Sequence, residues 1–93
     1  MAKLTGNLRI TAIPASEGAK AHFEILFVPY AGRLNTKSVE AATYDDLVTL
    51  LSDLKFGEDE ATRWAGKVRS QGVVLISSFE RNDSLLREYG LLA

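Results

Sequence analysis

The chain has 93 residues, no cysteine, one histidine and 46% apolar side chains, and its 11 basic and 12 acidic residues leave a formal charge of −1. That length has room for one hydrophobic core, so a single domain over residues 1–93 is expected. The composition excludes a disulfide scaffold, a thiolate nucleophile and a sulfur-ligated zinc site. It also lacks the net positive charge that would draw the whole chain onto nucleic acid or anionic lipid, and no run of about 18 apolar residues offers a membrane span.

Residues Met1 to Ile10 hold Lys3 without a following apolar run, unlike a secretory signal. With the lack of cysteine, this points to a cytoplasmic protein. In the first part of the chain, Leu8, Ile10 and Ala12 alternate with Arg9 and Thr11 up to Pro14, the period-2 pattern of a half-buried strand. The polar segment 15–20 reads as a loop. The strongest strand is Phe23 to Tyr30, where Phe23, Ile25 and Phe27 point one way and Leu26, Val28 and Tyr30 the other. Both faces of that strand want cover, from helices or from a partner chain. Pro29 marks its end, because proline cannot donate to a ladder. Ala31-Gly32 then turns the chain into a weaker strand from Arg33 to about Glu40.

After Ala42 the spacing becomes helical. Thr43 is placed to cap a helix with Asp45 and Asp46 in its first turn and Leu47, Leu50, Leu51 and Leu54 on one stripe, and Lys55 and Gly57 are expected to close it. A second helix runs from the acidic cluster Glu58-Asp59-Glu60 to Gly72, with Ala61, Trp64, Ala65 and Val68 facing inward. Gly66 inside this helix suggests close approach of a neighbouring element. Val73-Val74-Leu75-Ile76 reads as a continuously buried strand with Ser77 and Ser78 at its exit. Asn82 or Asp83 then caps a short helix stopped by Gly90, and the apolar tail Leu91-Leu92-Ala93 either docks on the core or joins a contact surface. The expected fold is therefore α+β: a small, mainly antiparallel sheet of three to four strands with two central helices and a short C-terminal helix, in the order β-β-(β)-α-α-β-α.

Motifs that carry chemistry are few. His22 lies two residues from Glu24, so a strand places both on one face as a candidate base and orienting carboxylate. One histidine and scattered carboxylates do not form the ligand clusters of zinc or EF-hand sites, so no metal or cofactor is expected. Gly66-Lys67 is followed by Val68 and lies within a helix, which excludes a phosphate-binding loop. Arg63, Lys67 and Arg69 are the one cationic cluster, and Asp59 and Glu60 neutralise its helical stripe. A helix-turn-helix alignment through Gly57 puts Arg63 and Gly66 where a recognition helix should pack, which argues against it. Tyr30 and Arg33, on either side of a turn, have the composition of a binding rim.

These exclusions favour a small protein–protein interaction or regulatory module without catalytic activity. Its partner would be another protein or a second copy, with Tyr30, Arg33, Arg63 and Lys67 as candidate contact residues. The apolar strand Phe23 to Tyr30 and the apolar tail motivate self-association, since together they exceed what one small domain covers easily. The second reading is a nucleic-acid-binding domain using the basic side of the second helix, with Arg81 and Arg87 as further contacts. A third is a small enzyme built on His22 and Glu24.

Overall fold

A computed structural model describes residues 3–31 and 36–92. The elements follow in the order β1 (Lys3–Ile13), β2 (His22–Pro29), β3 (Val39–Ala41), α1 (Tyr44–Asp53), α2 (Glu58–Gln71), β4 (Val73–Asn82) and α3 (Asp83–Glu88). The four strands form one antiparallel sheet in the order β3-β2-β1-β4. This is the expected α+β class. The third strand is realised at Val39–Ala41, while residues 33–35 of its expected span lie outside the described residues.

Three helices cover one face of the sheet. Leu8, Ile10, Ile25, Phe27, Val74, Ile76 and Phe79 from the strands meet Leu47, Leu51, Ala61, Ala65, Val68 and Leu86 from the helices in a single core. Within it Phe79 stands edge-on to Phe27 at 5.9 Å between ring centroids and stacks on Phe56 at 5.6 Å. Such pairs add to the burial of their area by roughly 0.5–1.5 kcal/mol each.

The helix ends show which local signals set the boundaries. Thr43 Oγ1 accepts the Asp46 amide at 3.1 Å, as its position predicts. At the other end of α1 the left-handed residue is Lys55, with φ 73°, and not Gly57. The Phe56 amide donates to the Leu51 carbonyl and the Lys55 amide to the Ser52 carbonyl, closing the helix with paired 6→1 and 5→2 bonds. Gly57 instead precedes the first turn of α2 as its N-cap. The same paired closure ends α3, where Gly90 has φ 80° and the Gly90 and Leu91 amides reach the Arg87 and Leu86 carbonyls.

Several expectations are corrected. The first and last strands in chain order are longer than their apolar runs: β1 begins at Lys3, and β4 continues through Ser77 and Ser78 to Asn82. The register shifts between Gly6, opposite Phe79, and Leu8, opposite Ile76, so Ser77 and Ser78 form a bulge within β4. The segment Val73 to Ile76 is not buried throughout. Only Val74 and Ile76 face the core, and Val73 and Leu75 remain half exposed. A Cβ on Gly66 would meet only the Tyr44 hydroxyl at 3.8 Å, an ordinary contact, so no tight approach explains that glycine. The tight approach lies at Gly6, where a Cβ would overlap the Val28 carbonyl oxygen and stand 2.7 Å from Pro29 Cα. Finally, Leu91 and Leu92 dock on the core, and the Lys37 amide donates to the Leu91 carbonyl at 3.1 Å. Leu91 and Leu92 are thus covered within the domain and no longer argue for self-association.

Candidate functional site

The face of the sheet opposite the helices is open. Strand alternation sends Asn7, Arg9 and Thr11 of β1, Glu24, Leu26 and Val28 of β2, and Val73, Leu75 and Ser77 of β4 to this side. Arg9 stands opposite Leu26 on one flank and Leu75 on the other. Among the described residues, the large hydrophobic side chains left exposed are Val28 at 44%, Tyr30 at 57%, Val73 at 50% and Leu75 at 53%, and all four lie on this face. The cover that β2 needs on its second side is therefore not supplied by the helices.

Tyr30 crosses that face. Its hydroxyl donates to Asn7 Oδ1 at 2.8 Å and accepts the Ser78 amide at 2.8 Å, pinning the ring between the end of β2 and the bulge of β4. Arg9 makes no ion pair among the described residues. Acidic groups lie toward the ends of the face. Glu80 accepts from Thr5 at 3.0 Å and approaches Lys3 at 3.9 Å, and Glu24 stands directly opposite Glu40 across β2 and β3.

The other candidate contact residues are placed elsewhere. Arg63 and Lys67 sit on the exposed side of α2, in the helical layer, so the fold separates them from Tyr30. Arg63 reaches Glu60 at 3.8 Å, and both cations lie near the Trp64 ring, Lys67 at 4.9 Å and Arg63 at 5.9 Å from its centroid. Arg69 lies over the Tyr44 ring at 4.2 Å. These aromatic and acidic neighbours divide the cluster. Arg81 is part-buried over Phe56 and Phe79, and its Nε–H donates to the Leu54 carbonyl at the end of α1. That burial lowers its guanidinium pKa, and Glu60 opposes the shift. Arg33 lies outside the described residues.

His22 does not form the arrangement of a carboxylate-oriented base. Its Nδ1 lies 3.0 Å from the Lys20 carbonyl, which can only accept, so Nδ1 carries the proton. Nε2 faces Glu24 at 3.7 Å and Glu40 at 3.9 Å. The i, i+2 spacing made the first neighbour legible in sequence. The second comes from cross-strand register, for which the sequence carries no local signal.

No protein-family model, curated protein or solved structure matches this chain.

Proposed function

We propose that the protein is a non-catalytic interaction module that docks through the open face of its sheet, and that its first partner is a second copy of itself. The observation that carries this reading is the confinement of Val28, Tyr30, Val73 and Leu75 to one face, around an Arg9 that makes no ion pair among the described residues. An amphipathic sheet leaves polar side chains outward, whereas this one presents apolar side chains on both faces of β2 and β4. The charge pattern suits a copy as occupant. The cation is central and the acids are peripheral, so a two-fold axis passing between Arg9 and the acidic rim, and not through Arg9 itself, turns each copy's guanidinium toward the other's acidic rim. The small net charge of −1 offers little repulsion between copies.

No helix among the described residues is long and apolar enough to cross a membrane. We place the protein in the cytoplasm, on its cysteine-free composition. The basic side of α2 supports the nucleic-acid reading less, because Arg63 is beside Glu60 and Arg69 is held over Tyr44. Sedimentation equilibrium from micromolar to millimolar protein tests the proposal. A reversible monomer–dimer equilibrium that Leu75→Glu weakens, with the circular dichroism unchanged, is the expected result. A strict monomer throughout that range contradicts it.

A further inference from the structure

We propose that His22, Glu24 and Glu40 form a binding site for a divalent transition-metal ion of the zinc class. The three residues come from two strands. His22 and Glu24 share a face of β2 by their spacing, and Glu40 joins them because β3 pairs antiparallel with Glu40 opposite Glu24. One ligand atom from each lies within 4.8 Å of the other two. Zinc bonds to nitrogen and carboxylate oxygen are about 2.0–2.2 Å long and set tetrahedral ligand atoms roughly 3.3–3.6 Å apart. The observed separations of 3.7 and 3.9 Å from His22 Nε2 to the two carboxylates close to that range by small rotations of exposed glutamate side chains.

Three further features point the same way. The Nδ1–H of His22 is engaged by the Lys20 carbonyl, so in the neutral ring the Nε2 lone pair faces the carboxylates. An imidazole whose other nitrogen is fixed by a carbonyl is the usual outer-shell arrangement of a metal-ligating histidine. Glu24 and Glu40 are directly opposed like charges on adjacent strands, a pairing that is destabilising unless a cation lies between them. A cleft of about 630 Å³ lined by Ala19, Lys20, His22, Glu40 and Thr43 opens beside the site and leaves room for water to complete the coordination shell. One imidazole and two carboxylates, with no sulfur, suit zinc, manganese, cobalt or iron(II) and not a soft monovalent ion. The site lies at the rim of the open face but does not depend on that face docking a partner.

Calorimetric titration of the tag-free protein with zinc chloride at neutral pH tests the site, with the cobalt(II) absorption spectrum reporting nitrogen and oxygen coordination. The expected result is one zinc per chain, weakened by at least about tenfold in His22→Ala and in Glu40→Gln. Glu40→Gln keeps the side-chain size at an exposed position, so its effect is separable from unfolding. Absence of saturable binding below about millimolar zinc, or binding unchanged in either variant, overturns the proposal. In that case the three residues form only a polar cluster of the histidine and two carboxylates.

Discussion

The hydroxyl of Tyr30 accepts the backbone amide of Ser78 at 2.8 Å, joining the end of β2 to the bulge of β4 across the intervening strand. Ser78 has φ 55°, a left-handed conformation uncommon for a residue with a side chain, and its amide sits where the ladder register shifts. The tyrosine thus supplies the partner that the regular ladder does not. Tyr30→Phe removes this bond and the one to Asn7 while keeping the ring. We expect a loss of about 1 kcal/mol in urea unfolding. Hydrogen exchange should localise the effect to the Ser78 amide, whose protection falls more than that of the β1–β2 ladder.

Gly6 lies beside the same irregularity. Its Cα faces the Val28 carbonyl and Pro29 so closely that a methyl group forces the β1–β2 ladder apart. Gly6→Ala is expected to destabilise the fold by about 1–3 kcal/mol, as overpacking does. Gly66→Ala, by contrast, meets only an ordinary contact and replaces a poor helix former with a good one, so it is expected to raise the melting temperature. A thermal melt of the two variants checks both signs.

Arg81 links α1 to β4. Its guanidinium lies 4.4 Å from the Phe79 ring centroid and 5.0 Å from that of Phe56, and its Nε–H donates to the Leu54 carbonyl at the end of α1. Arg81→Met keeps most of the apolar stem and removes the donors. The expected loss is about 1.5–3 kcal/mol, the range for a hydrogen bond from a charged group. Chemical denaturation measures it, and equal stability of the variant would show that stem packing alone matters.

In the metal-free protein, the titration of His22 has a defined direction. The Lys20 carbonyl raises its pKa above the ordinary 6.5, burial opposes that shift, and Glu40 and Glu24 reinforce it. A raised folded-state value means that protonated His22 stabilises the fold. The contribution is fully present below pH 6.5 and is lost as pH rises through the folded value. Imidazole proton shifts followed against pH should give a midpoint above 6.5, lowered by Glu40→Gln. A midpoint at or below 6.5 contradicts this account.

The parts of the fold legible in sequence were those with local causes. Leu47, Leu50, Leu51 and Leu54 repeat at helical spacing behind a Thr43 cap, and Phe23 to Tyr30 is dense in strand formers, so α1 and β2 are readable directly. The β4 strand was legible at Val73 to Ile76, but its extension to Asn82 and its facing were not, because its bulge breaks the alternation: Ile76 and Phe79 both face the core although three residues apart. A run such as Val73 to Ile76 looks buried when read alone, and only its pairing with Arg9 and Thr11 shows that alternate members face outward. The candidate sites follow the same division. Tyr30 was visible as an apolar residue at a strand end, while its bond to Ser78 spans 48 positions of chain. Glu40 joins His22 only through a strand pairing that no local pattern announces.

The central claim is that the open face receives a second copy, and a dilution series of methyl-resolved NMR spectra tests it most directly. From millimolar to micromolar protein, the account predicts concentration-dependent shifts at Leu26, Val28, Val73 and Leu75, with Val68 and Leu86 in the covered core unchanged. Spectra that do not change on dilution, or shifts confined to residues around Trp64 on α2, would contradict it.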